Sequence, residues 1–222
     1  MIYLLVISAA LAPALFFVWY FYRLDVYEPE PKLKVIKIFF LGCVSTVAAT
    51  GVHYLLWGIP FFRYAWTGAP LIEETMKFLF CFFFIFKDAE FDEPVDGLVY
   101  SSAAALGFAA VENILYCYNA FNNDQLLEVA VVRALLSVPA HALSSGFWGY
   151  AMGIAKFINR KKIIILSSGV LLSIISHGLF NFFASGNYIM FLLLILFVLV
   201  LWKVIRWLTR DLLDISPFKN KA

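Results

Sequence analysis

Eight side chains that water normally hydrates lie inside stretches built almost wholly from apolar residues: Glu73, Glu74, Lys77, Glu112, Arg133, His141, His177 and Asn181. A charged side chain at the centre of a bilayer costs about 2.5–3.5 kcal/mol on insertion scales, so such residues face a bundle interior and mark function. Their spacing is helical. Glu73 and Lys77 are four apart, as are Phe108 and Glu112, and His177 and Asn181, and each pair shares one helix face. The residue types suit acid–base hydrolysis. A carboxylate at a helix start, close to water, stays ionised readily and can take a proton from water as general base. Imidazole and amide groups can donate to the oxyanion that develops. Other hydrolytic signatures are absent: there is no HExxH, no Gly-Asp dipeptide, and no GxSxG, since Ser144-Ser145-Gly146 lacks the preceding glycine. The same residues also have plainer readings. Lys77 can simply neutralise Glu73 or Glu74, Arg133 can pair with Glu112 or snorkel outward, and Asn181 can tie two helices together.

The elements that must position them are transmembrane helices. Of the 222 residues, 63% are hydrophobic and only 14% charged, whereas soluble domains are nearer half apolar and a quarter charged. The surplus falls into runs at 1–22, 35–57, 70–86, 95–118, 128–157, 163–184 and 188–208. Most are about 20 residues, the length a helix needs to cross roughly 30 Å of hydrocarbon; the third is short, and the fifth is long enough to tilt or protrude. The fold class is therefore all-α, a polytopic transmembrane bundle of about seven helices. Arg23, Lys32, Lys34 and Lys37 flank the first loop, and Lys156, Arg160, Lys161 and Lys162 the fifth. The tail carries Lys203, Arg206, Arg210, Lys219 and Lys221, whereas Arg63 stands alone in the second loop. The positive-inside rule then places the N-terminus outside and the C-terminus inside.

The first span lacks a basic leader and reads as a retained anchor, not a signal peptide. Cys43, Cys81 and Cys117 lie within helices without a CxxC pair and read as small buried hydrophobes. The net charge of +2 and the lack of a basic block exclude nucleic acid as a partner. Short loops and the absence of a linker indicate one domain, 1–222, acting within the bilayer or at its surface.

Tyr27-Glu28-Pro29-Glu30-Pro31 is a helix-breaking inner loop. Pro70 suits the first turn of the third span, and Asp92-Glu93-Pro94 opens the fourth. Asp88, Glu90, Asp92, Glu93 and Asp96 read as a solvated inner loop running into a helix start. His53 reads as interfacial, and Trp57, Trp66, Trp148 and Trp207 as interfacial or packing residues. In this topology Glu73 and Glu74 start the third span at the outer surface, with Glu112, His177 and Asn181 near the outer ends of theirs and His141 nearer mid-membrane. Residues distant in sequence thus converge on the outer half of the bilayer. The inner half is expected to hold no continuing ionisable path, which counts against a proton relay.

Glu73-Glu74-Thr75-Met76-Lys77 resembles the EExxK motif of PrsW-type intramembrane proteases, Phe108-Ala-Ala-Val-Glu112 their FxxxE, and His177-Gly-Leu-Phe-Asn181 is similar to their HxxxD. Phe91-Asp92-Glu93, Asp96-Gly97, the stretch from Glu112 to Tyr116 and Arg133-Ala-Leu-Leu136 also resemble that family. Asn181 departs from it: the family has Asp there, while the related CAAX-protease and bacteriocin-processing branch carries HxxxN with EExxxR. The resemblance implies a protease of the bacterial cell membrane that makes the first, extracytoplasmic-side cut in a membrane-anchored anti-sigma factor, without metal or other cofactor. By motif, Glu73 would activate water, oriented by Glu74 and Lys77. His141, His177 and Asn181 would polarise the scissile carbonyl or hold the water, and Glu112 would belong to the site. The alternatives are a metal-dependent hydrolase using the three Glu and two His, a proton-coupled transporter, and a non-catalytic scaffold that binds single-span proteins.

The loop charges make the topology testable. Cysteine-accessibility labelling should find the N-terminus and loop 61–66 outside, and positions 160 and 219 inside; labelling of position 219 from outside would sink the seven-span arrangement.

Overall fold

The computed structural model describes residues 2–158 and 161–220, and they are helical without a strand. Arg160 and Lys221, counted above among the basic loop residues, lie outside the described residues. In chain order the elements are α1 (Ile2–Tyr22), α2 (Lys32–Leu56), a short α3 (Pro60–Arg63), α4 (Gly68–Ile85), α5 (Asp96–Asn122), α6 (Leu126–Val132), a π-helical turn (Arg133–Ser137), α7 (Val138–Phe157), α8 (Lys162–Ala184) and α9 (Tyr188–Asp214). From α6 through the π turn to α7 the chain is one continuous helix, Leu126–Phe157. Seven long helical segments therefore stand on the seven apolar runs. Six are long and apolar enough to cross a membrane. The other, α4, has 18 residues and carries Glu73, Glu74 and Lys77.

Small residues dictate the centre of the bundle. Every residue of α5 from Asp96 to Ala110 is buried, as expected of a helix with neighbours on all sides. A Cβ on Gly107 would lie 1.9 Å from the carbonyl oxygen of Phe39, and one on Gly42 2.0 Å from that of Ala104, so α2 and α5 meet backbone to backbone. Such close approach is how helices associate where lipid offers no hydrophobic drive. α7, also largely buried, packs on the other side of α5. α9 flanks the bundle by packing Leu194, Val198, Leu201 and Ile205 into a core shared with α1, α5 and α7.

The inner end corrects two expectations. Glu93 and Asp96 are not solvated; with Asp25 and Glu30 they are at most 3% exposed. Loops 23–31 and 87–95 fold against one another, so their carboxyls face inward. Glu30 accepts the Tyr100 hydroxyl, and the Glu93 N–H donates to Asp96 at 2.7 Å. Asp88, Glu90 and Asp92 keep contact with solvent, and Lys34 pairs with Asp88. The inner half thus does hold buried acids. Asp96 and Glu112 are nonetheless sixteen residues apart on one helix, about 24 Å, and α5 has no carboxylate or imidazole between them.

Burial pushes Asp25 up to about 7, helped by the Glu93 charge, and pushes Glu30 up to about 8 against the Tyr100 hydrogen bond. A carboxyl whose pKa is higher folded than unfolded holds its proton in the native state, so stability falls as pH rises between the two values. Thermal unfolding in detergent should therefore show stability declining from about pH 4 to pH 8, and Glu30→Gln should flatten that slope; stability rising over the same window would show these groups ionised in the folded protein.

Candidate active site

The helical register of α4 turns neighbouring glutamates in different directions. Glu74 points into the bundle and is fully buried. Its Oε1 accepts from Lys77 Nζ at 2.8 Å and His177 Nδ1 at 2.9 Å. Its Oε2 accepts from Ser145 Oγ at 2.7 Å and Trp148 Nε1 at 3.1 Å. Both oxygens are thus fully used, and the carboxylate works as a fixed anchor. Ser145 and Trp148 lie four and seven residues after His141 and so share its face of α7. That spacing is the signal that could have identified both. Trp148 is not interfacial.

Lys77 is also fully buried, with its ammonium 4.2 Å from the centre of the Phe108 ring. An ammonium can only donate, so the 3.1 Å contact from Lys77 Nζ to His141 Nδ1 makes that nitrogen the acceptor. The His141 hydrogen then sits on Nε2 and is donated to Glu112 Oε2 at 2.9 Å. Glu112 also accepts from Arg133 Nη2 at 2.7 Å. Arg133 is held in turn by Asn113 and stacks 4.0 Å from the Tyr116 ring centre, while Asn113 donates to the Ala10 carbonyl of α1. Arg133 therefore pairs with Glu112 inside the bundle and does not snorkel.

The π turn makes this double grip possible. In a regular helix residues eight apart point about 80° away from each other. The Val138 N–H bonds five residues back to the Arg133 carbonyl, absorbing one residue, so Arg133 and His141 return to nearly one face.

Glu73 differs from Glu74. Its Oε2 lies 3.7 Å from His177 Nε2 and 3.8 Å from Lys77 Nζ, and has no hydrogen-bond partner. In its neutral form, with the Nδ1 hydrogen given to Glu74, His177 leaves Nε2 with a lone pair. Two acceptors thus face each other across a gap that only a donor or a cation can fill. Glu73 and His177 line a cavity of about 340 Å³ with Glu112, Arg133, His141 and Asn181, and Glu73 Oε2 itself lies buried just behind its wall. All seven site residues anticipated from sequence are therefore brought together. Asn181 is the most peripheral, and its Nδ2 donates to the Ala65 carbonyl at 2.7 Å, bracing the segment ahead of α4.

One atom each from Glu73, His141 and His177 lie within 4.8 Å of one another, a donor set of the kind that holds catalytic zinc. Glu73 and His177 have lone pairs to give. Both nitrogens of His141 are engaged, so it could join only by releasing Glu112 or Lys77.

The sequence profile of the PrsW family intramembrane metalloproteases matches residues 30–205. The chain is 36% identical over 200 residues to the protease PrsW of Geobacillus kaustophilus, covering 88% of this chain and 87% of that protein. It is 34% identical over 204 residues to the protease PrsW of Bacillus subtilis, covering 89% and 90%. The Clostridioides difficile protease PrsW is 32% identical over 205 residues, covering 88% and 86%. No solved structure matches.

Removing Lys77 would take from the buried Glu74 carboxylate its one ammonium partner and from His141 Nδ1 its donor, whereas Glu73 makes no hydrogen bond to lose. In equilibrium unfolding, Lys77→Met should cost about 3–5 kcal/mol and Glu73→Gln less than about 0.5 kcal/mol; equal losses would contradict this division between anchor and free carboxylate.

Proposed function

Given that this chain belongs to the PrsW family of intramembrane proteases, a multi-pass protein of bacterial membranes, we propose that it makes the first, extracytoplasmic-side cut in a membrane-anchored anti-sigma factor, with Glu73 as general base. The whole chain acts as one membrane-embedded protease domain. The observation that carries the mechanism is the pair of free acceptors, Glu73 Oε2 and His177 Nε2, 3.7 Å apart at the edge of a polar cavity. A water molecule between them donates one hydrogen to each. Glu73 takes a proton as the water oxygen attacks the scissile carbonyl carbon, and returns it to the amide nitrogen as the C–N bond breaks. Lys77, 3.8 Å from Glu73, stabilises the carboxylate before and after. Glu74 fixes His177, and Glu112 fixes His141. Asn181, with a second amide N–H beyond the one given to Ala65, supplies a donor for the oxyanion. The anti-sigma factor as substrate rests on the motif resemblance, and an outer-side cut accords with the placement of these residues in the topology inferred from loop charges.

A second reading is favoured by the Glu73–His141–His177 trio and by the metalloprotease description of the family. Those three side chains would hold a divalent ion, which when bound would acidify a water and polarise the carbonyl. The carboxylate reading is preferred because His141 already spends both nitrogens on Lys77 and Glu112.

Cleavage of candidate single-span anti-sigma factors by the purified protein in liposomes separates the readings. Glu73→Gln should lower the rate by about 10²–10⁴ while substrate still binds, Asn181→Asp should be milder, and wild-type activity should survive a strong chelator. Activity lost to chelator and restored by one particular metal would establish the metal reading instead.

A further inference from the structure

Glu73, Glu112 and Tyr116 line a second cavity besides the polar one. It is a groove of about 430 Å³ between α2, α4 and α5, walled by Thr46, Thr50 and His53 on one side and by Ile72, Phe108 and Leu115 on the other. Its rim residues Tyr54 and Leu115 are 81% and 61% exposed on faces that the bundle leaves to lipid. The reacting carboxylate is thus reached from two directions, one polar and one apolar. Along α2 the groove runs from Thr46 to Trp57. That is about 16 Å of helix rise, enough for roughly five residues of extended chain.

We infer that this groove binds an apolar, unwound segment at the outer end of the substrate's own membrane span, and delivers the bond to be cut to Glu73 while water enters from the polar cavity. The inference rests on the protease reading. What favours peptide over a lipid acyl chain is the polar lining set into the apolar wall. Unwound backbone inside a bilayer must find partners for its N–H groups. Thr46 and Thr50 donate their hydroxyl hydrogens to backbone carbonyls of the bundle, which leaves their oxygens as acceptors. An acyl chain has no use for either hydroxyl. The apolar walls then select side chains, so the span residues that lead from the cut into the membrane, which the soluble form below lacks, should be large and apolar.

The test uses the single-span protein that the wild type cleaves, in two forms: with its span intact in liposomes, and as a water-soluble peptide carrying only the residues outside the span up to and just past the cut. Thr50→Trp and Leu115→Trp fill the groove from opposite walls at exposed positions. Each should lower kcat/KM for the spanning form roughly tenfold or more, chiefly through KM, and leave the soluble form unchanged. Val47→Trp, on the lipid-facing side of the same helix, should change neither. In the Glu73→Gln background, a photoreactive residue at position 115 should crosslink to the spanning form, and one at position 47 should not. Unchanged kcat/KM for the spanning form, without crosslinking from position 115, would mean that the groove holds only lipid. Equal loss on both forms would also overturn the inference. Failure of the wild type to cleave any single-span protein is a different result, which removes the protease reading and this one with it.

Discussion

A buried ammonium must be met by acceptors wherever it can reach, and Lys77 imposes that condition on everything around it. It lies on α4 beneath the Phe108 ring, bonds to Glu74 and His141, and through them ties α4 to α5, α7 and α8. Because it donates to His141, it also decides which imidazole nitrogen carries hydrogen, and hence that His141 can hold Glu112. Because Glu74 is consumed in holding Lys77, His177, Ser145 and Trp148, Glu73 is left as the carboxylate with an oxygen to spare. Three carboxyl groups thus share two basic side chains, Lys77 and Arg133, and Glu73 is the one whose oxygen makes no hydrogen bond.

That division of labour between adjacent glutamates could not be read from the sequence. Both belong to the same motif, and only the 100° step between successive helical residues separates the anchored one from the free one. The spans themselves were legible, because runs of about 20 apolar residues have one use, and the structure places seven helical segments on them. The site residues were legible for a related reason: ionisable groups are costly in such runs, so those present have a purpose. Trp148 and Ser145 were not recognised because tryptophan and serine carry no such cost and are common in membrane helices as packing residues. Their spacing from His141 was the available clue.

The inner acids were misread for the opposite reason. Asp92-Glu93-Pro94 and the following Asp96 look like a solvated loop running into a first turn dressed with dipole-complementing charge; Asp92 keeps contact with solvent, and Asp96 does stand in the first turn of α5. Glu93 and Asp96 are buried because a second proline-rich loop, 23–31, folds over them from another part of the chain. No local pattern encodes that covering. Close backbone packing brings it about: α5 is drawn against α2 through Gly42 and Gly107, and the loop leading into α2 follows.

The wide turn at Arg133–Ser137 carries a consequence for comparing this chain with its relatives. Eight residues separate Arg133 from His141, a spacing that no regular helix uses to bring two side chains to one partner. A search for helical periodicity passes over the pair, and an alignment that forbids gaps within helices sets one of them out of register. A relative that keeps the same grip on its glutamate with an unbroken helix from α6 into α7 must carry its arginine seven residues ahead of the histidine. In this segment a one-residue deletion and a straightened helix are the same event, and spacing in the chain becomes a record of helical geometry.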